Sequence, residues 1–339
     1  MNSSMKRNIV LDHGTGAKLS RELVDFIVDI LGDVYIGEME DSALLSLPNA
    51  RIAMTTDSFV VDPLIFGNGD IGKIAVCGTV NDLAVVGATP QYLTLAFIIE
   101  TGLPFSDLER VLVSIRDTAR EADIKIVAGD TKVVNQGEAD KLFINTTGVG
   151  YFPREPLRMK HVRVGDHILL SGPIGNHAVH LLSIREGLGF ESRVLSDCAP
   201  LNHMIAALLD GKAGWGIHSI RDVTRGGLAA VMQEYSRVGP FHMALDQARL
   251  PIQHETAMAC DMLGIDPIDL ANEGCLCLFV APDYADLALD LLRRHAPGTG
   301  AVDIGKVLSS DTAQVRLKFP GGHVKRLEEL EGAVLPRLC

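Results

Sequence analysis

Apolar residues recur along this chain with two different periods. Leu23, Phe26, Ile27 and Ile30 follow one another at three- and four-residue steps, so an amphipathic helix is predicted from a cap at Ser20 to a stop at Gly32. A second helix is predicted from a cap at Asp70 through Ile74, Val80 and Leu83 to Gly87. A third opens on the capping box Ser106-Asp107-Leu108-Glu109 and reaches Ala122. Between them lie strand-like runs: Arg51 to Thr56 ending at Asp57, Gln91 to Glu100, Ile124 to Ala128 ending in Gly129-Asp130-Thr131-Lys132, and Leu142 to Gly150. Further on, the pattern predicts a strand Ile168–Leu170, a helix from Asn176, helices near 199–209 and 227–237, and a helix from Pro251 to Leu263. The apolar strand Cys275–Val280, a helix Asp283–His295 and strands near 301–308 and 313–319 complete the reading. No short-period repeat is visible, and neither half copies the other.

Phe152 to Lys160 is rich in proline and basic residues, as a linker is. With 339 residues the chain is too long for one small core. Two α/β domains are therefore predicted, 1–152 and 153–329, with a mobile tail at 330–339. No apolar run reaches the ~18 residues of a membrane span, and Ile9-Val10-Leu11 is too short for a secretory signal. A net charge of −12 argues against nucleic acid. It also means that a nucleotide ligand would need divalent cations between its phosphates and the carboxylates. Six scattered cysteines build no disulfide framework, which points to a reduced, cytoplasmic protein.

The candidate chemistry starts with aspartates. Asp57, Asp82 and Asp130 each stand where an element is expected to stop, so their carboxylates could converge on one rim. Each is equally a cap or loop residue when taken singly. Arg221-Asp222-Val223-Thr224-Arg225-Gly226-Gly227 precedes a helix and offers guanidinium groups and backbone amides to phosphate, or is an ordinary charged helix start. Glu273, in Ala271-Asn272-Glu273-Gly274, is either a base or a turn residue. His177 and His180 form a metal pair or, more simply, a solvated pair; Cys275 and Cys277 share a strand face as core thiols or as metal ligands. Cys339 follows Pro336-Arg337-Leu338 and is either an incidental thiol or one that swings into a cleft.

Taken together, these stretches resemble the hydrogenase maturation factor HypE family over nearly the whole chain. The resemblance rests on His13-Gly14-Thr15-Gly16, Thr55-Thr56-Asp57-Ser58, Val80-Asn81-Asp82-Leu83-Ala84 and Ala128-Gly129-Asp130-Thr131-Lys132-Val133-Val134. Asp140 to Thr146, Arg221 to Gly227, Ala271 to Gly274 and Pro336-Arg337-Leu338-Cys339 extend it. The aspartate motifs are shared with the wider aminoimidazole-ribotide-synthetase-like (PurM-like) group, which includes selenophosphate synthetase; the closing Pro-Arg-x-Cys is what marks HypE. The resemblance implies a two-domain PurM-like α/β fold, an amino-terminal domain that pairs with its copy in a homodimer, and ATP with Mg²⁺. It implies that a HypF-type carbamoyltransferase loads Cys339, that the S-carboxamide is dehydrated to S-cyanide with ATP, and that cyanide passes to iron on a HypC–HypD complex for [NiFe]-hydrogenase. By the same resemblance Asp41, Asp57, Asp82 and Asp222 would hold Mg²⁺. Asp130, Thr131, Lys132, Arg225 and Gly226 would contact the nucleotide. Glu273 would be the base with Asn272 orienting it, and Lys132 is the alternative base. A small-molecule kinase or ligase of the same fold, or a carrier without catalysis, would share many of these features. Ala17 stands where the family commonly has glycine, and Leu338 where isoleucine is commoner.

Overall fold

The computed structural model describes residues 8–14, 18–36 and 51–328. Asp41, the turn residues Thr15–Ala17 and the expected tail with Cys339 lie outside them. The described chain divides into two compact units, 8–83 with 88–153, and 84–87 with 154–328.

In the amino-terminal unit, helix α1 (Lys18–Leu31) starts two residues before the expected Ser20 cap. Strand β1 (Ile52–Phe59), the short pair β2 (Ile65–Phe66) and β3 (Gly69–Asp70), helix α2 (Ile71–Val85), strand β4 (Thr89–Glu100), helix α3 (Phe105–Glu121), β5 (Lys125–Val134) and β6 (Leu142–Tyr151) follow. The Asp70 cap is as expected: its Oδ1 accepts the Gly72 and Lys73 amides at 2.8 and 3.0 Å. The capping box at Ser106 is not realised, because α3 already begins at Phe105 after Pro104, whose fixed φ suits a helix entry. The main sheet has the order β1-β6-β4-β5, with β4 and β5 parallel and α3 between them in sequence. Leu93, Leu95, Phe97 and Ile99 of β4 and Leu142, Ile144 and Thr146 of β6 are buried on one face. The other face carries Tyr92, Ile98, Phe143 and Val149, with Ile52 and Met54 of β1, and is open: Met54 is 69% exposed.

Helix α2 is apolar all round, and all of it is buried except Lys73 and Asp82, which are half-buried. A side chain at Gly148 would collide with Thr79 of α2 at 2.5 Å, so the glycine in β6 is what lets helix and sheet close up.

The carboxy-terminal unit contains β7 (His167–Leu170), α4 (Asn176–Glu186), α5 (Asn202–Asp210), β8 (Ile217–Asp222), α6 (Gly227–Ser236), β9 (Phe241–Asp246), α7 (His254–Leu263), β10 (Leu276–Val280), α8 (Ala285–Leu292), β11 (Val302–Ser309), β12 (Gln314–Lys318) and β13 (Val324–Leu327). Their sheet has the order β13-β12-β9-β11-β7-β10-β8. Strands β8, β9 and β13 have no counterpart in the sequence reading; each is short, and the basic and acidic residues of β8 and β13 obscure the period. Both faces of the sheet are covered. Cys275, Cys277 and Phe279 face a core with Leu228, Met232 and Tyr235 of α6, while Leu276, Leu278 and Val280 face one with Ile205 and Leu208 of α5 and Leu292 of α8. That is why β10 reads as an unbroken apolar run.

Candidate functional site

The expected stops at aspartates are corrected by the structure. Asp57 lies inside β1 and Asp130 inside β5, so both strands continue past their carboxylates, and Asp82 lies inside α2, as the helix predicted to reach Gly87 requires. What brings two of them together is periodicity. Thr55 and Asp57 are two apart and share the helix-facing side of β1, while Gly78 and Asp82 are four apart and share one face of α2. The Thr55 hydroxyl donates to Asp82 Oδ2 at 3.0 Å. A Cβ built on Gly78 would lie 3.6 Å from Asp57 Oδ2, so the Asp57 carboxylate rests against α2 one turn from Asp82. The Ser58 amide donates to Asp57 Oδ1 at 2.9 Å, and Asn145 Nδ2 to the Asp57 carbonyl at 2.8 Å.

Asp130 and Lys132 do not join this pair. Asp57 pairs across the sheet with Thr146, Thr146 with Leu95, and Leu95 with Gly129; Asp130 belongs to the next row, with Ala96, Asn145 and Ser58. Alternation therefore puts Asp130 and Lys132 on the open face, and Thr131 on the helix side with Phe97. Lys132 Nζ reaches Asp130 Oδ1 at 3.1 Å, both largely exposed, and the Thr131 amide donates to the same oxygen at 2.9 Å.

In the carboxy-terminal unit, Asp222 ends β8 opposite Leu276 and is buried. Gly226 and Gly227 both have left-handed φ, +77° and +62°. A Cβ at Gly227 would meet the Ile268 carbonyl at 2.4 Å, so this glycine admits the protein's own 268–270 backbone beside the helix start. Arg225 is exposed on the turn. Asn272 is fully buried and spends its side chain on backbone: Nδ2 donates to the Val223 and Leu270 carbonyls at 2.9 and 3.2 Å, and Oδ1 accepts from the Gly175 amide at 2.8 Å. The Asn272 amide also donates to the Val223 carbonyl at 3.1 Å. Asp222 and Glu273 thus flank one hydrogen-bonded pair of residues, which brings them to the same end of the sheet.

Two side chains that contact candidate site residues were given no role in the sequence reading. Thr55 is a routine strand residue until its hydroxyl is seen on Asp82. Asp197 is far from Glu273 in sequence, yet its carboxylate accepts the Glu273 and Gly274 amides at 3.0 and 3.1 Å. His177 and His180 are buried rather than solvated. Burial, then His180 and Arg185, hold the His177 imidazole down to about 3, so it is neutral. Cys275 and Cys277 are core thiols. Burial pushes Cys275 up to about 12 and Cys277 well above its ordinary value. All five described cysteines are buried.

Among the described residues no group of three or more metal-binding side chains gathers. The Asp57–Asp82 pair still suits Mg²⁺, which commonly takes one or two protein carboxylates and completes its shell with water and phosphate oxygens. No helix among the described residues is long and apolar enough to cross a membrane.

The chain matches the AIR synthase related protein N-terminal domain over residues 39–152 and the corresponding C-terminal domain over 163–318. It is 41% identical over 333 residues to the carbamoyl dehydratase HypE of Bradyrhizobium diazoefficiens, covering 97% of this chain and 95% of that one. The chain belongs to the HypE family. A crystal structure of the hydrogenase maturation protein HypE in complex with ATP superposes on this HypE-family chain with a TM-score of 0.93, at 40% identity over 97% of this chain and 99% of that one. A HypE–HypF complex matches with a TM-score of 0.78, at 42% identity over 91% of this chain and 99% of the other. The PurM-like two-domain architecture expected from the motifs is therefore the observed one.

Proposed function

We propose that this chain is an ATP-dependent carbamoyl dehydratase that works on its own Cys339. The near-full-length relationship to HypE carbamoyl dehydratases carries the reading. A second support is chemical: with the five described cysteines buried, Cys339 is left as the carrier thiol. A HypF-type partner delivers the carbamoyl group and forms the Cys339 S-carboxamide. An amide oxygen leaves poorly, so the γ-phosphoryl of ATP is first transferred to it. Loss of the N–H protons and departure of phosphate then give the S-cyanide, with ADP and phosphate as the other products. A HypC–HypD partner takes the cyanide to hydrogenase iron.

Asp57 and Asp82 of the amino-terminal unit are proposed as Mg²⁺ ligands, with Asp41 and Asp222 as the further candidates. Bound Mg²⁺ neutralises charge on the transferring phosphate. Glu273 is the proposed base, and Asn272 orients it through the backbone. Lys132, whose Nζ is paired with Asp130 Oδ1 at 3.1 Å, is the alternative base; it, Asp130, Thr131, Arg225 and Gly226 are assigned to nucleotide contact. The open sheet face, with Ile52, Met54 and Ile98 exposed, supports pairing with a second copy. The composition supports a cytoplasmic setting.

The test is mass spectrometry on the carbamoylated chain. With MgATP the Cys339 peptide should lose one water; Glu273→Gln should keep the load but convert it about a hundredfold or more slowly. A wild-type chain that keeps the carbamoyl group unchanged under these conditions would instead be a carrier without catalysis.

A further inference from the structure

The segment 190–198 has no helix or strand, yet it is pinned along its length. Helix α4 presents Ser183, His180 and His177 at three-residue steps, all buried. The Ser183 hydroxyl donates to Glu191 at 2.7 Å and accepts the Phe190 amide at 2.7 Å. His180 Nδ1 lies 2.7 Å from the Val194 carbonyl, and His177 Nδ1 lies 2.8 Å from the Ser196 hydroxyl. That hydroxyl in turn accepts the Cys198 amide at 3.2 Å. Asp197 lies between Ser196 and Cys198 on this strap, and its two carboxylate oxygens take the consecutive amides of Glu273 and Gly274. The approach is close at both ends. A Cβ at Gly274 would stand 1.9 Å from the Asp197 carbonyl oxygen, so only glycine fits beneath the strap. From the other side, Asn272, the residue before Glu273, is itself tied by its side chain to Val223, Leu270 and Gly175.

From this we infer that Asp197 is a positioning residue for the dehydration step, acting through the backbone of Glu273. The inference rests on Glu273 as the base. Asn272 and Asp197 together fix the backbone on both sides of that residue, which leaves only side-chain torsions to aim its carboxylate. A bidentate carboxylate on two successive amides is a charge-assisted contact that no neutral residue reproduces in full. Freeing the Glu273 amide lets the base move by an ångström or so, enough to cost about a hundredfold in rate. ATP binding does not depend on it.

The experiment is single-turnover conversion of the carbamoylated full-length chain by MgATP, in Asp197→Ala, Glu273→Gln and the double variant. Asp197→Ala should lower the conversion rate about ten- to a hundredfold with the KM for ATP unchanged. Added to Glu273→Gln it should slow conversion no further, because the two act as one unit. Asp197→Asn, which keeps one acceptor oxygen, should recover part of the rate, and it carries the test alone if the alanine variant does not fold. Wild-type conversion by Asp197→Asn or Asp197→Ala, or fully additive losses in the double variant, would overturn the inference. Wild-type conversion by Glu273→Gln would sink the base assignment instead, and that outcome is visible without any Asp197 variant.

Discussion

A single carboxyl group shows how burial sets pH dependence in this protein. Asp269 sits beside Leu270 in the loop under the α6 start, and burial, reinforced by Asp266 and opposed by Lys325, pushes it up to about 6. The folded chain therefore holds that proton more tightly than the unfolded chain, whose carboxylate titrates at about 4. The contribution is fully present below about pH 4 and is lost as pH rises through about 6. Asp269→Asn should therefore raise the thermal midpoint relative to wild type at about pH 8 and bring no such gain at about pH 4. Equal gains at both pH values would refute the assignment. The residues of the site were unequally legible. Asp82 stands out because a carboxylate among small and apolar neighbours needs a reason, Asp57 because a strand was expected to end there, and Asp222 because arginines and glycines surround it. Thr55 appeared only as part of a motif and Asp197 not at all, since nothing local marks a side chain whose partner is 27 or 76 residues away.

Elements were legible where one period dominated. Helices α1 and α3 have a clear apolar stripe, and β4 and β6 alternate. Helix α2 was found from its Asp70 cap, its apolar positions Ile74, Val80 and Leu83 and the stop at Gly87, although it has no continuous polar face. Strand β5 was cut short at Ala128 because Gly129-Asp130 looks like a stop; in the sheet it is carried on to Val134 by its parallel pairing with β4. The glycines at the α6 start were read as room for an anion, and at Gly227 the room is taken by the 268–270 backbone. Gly227→Ala should cost roughly 2–5 kcal/mol, a left-handed penalty plus forced displacement of that backbone. Gly264, also left-handed but with nothing within 4 Å of its added Cβ, supplies the control: Gly264→Ala should cost only about 1–2 kcal/mol. Urea midpoints of the two variants measure the difference, and equal costs would show that the close approach does not matter.

At the level of the whole molecule, the net charge of −12 argued against nucleic acid, and the conjunction of motifs pointed to its family. The proposed pairing between copies is a matter of surface. Met54→Asp on the open sheet should convert a dimer to a monomer in sedimentation velocity, since a desolvated carboxylate opposite its own symmetry mate is costly. An unchanged sedimentation coefficient would move the interface elsewhere. The placement of sulfur has a different consequence. Thioester-like cargo migrates wherever a second nucleophilic sulfur comes within reach, and scrambling of that kind would scatter the load along the polypeptide. Here the five thiols of the described cysteines are walled in by the cores around β10, α2 and α7 and by the strap beside α4. On the proposed loading of Cys339, the carried group would meet no exposed thiol among the described residues, and its exits would be the chemistry of the site or the next protein in line.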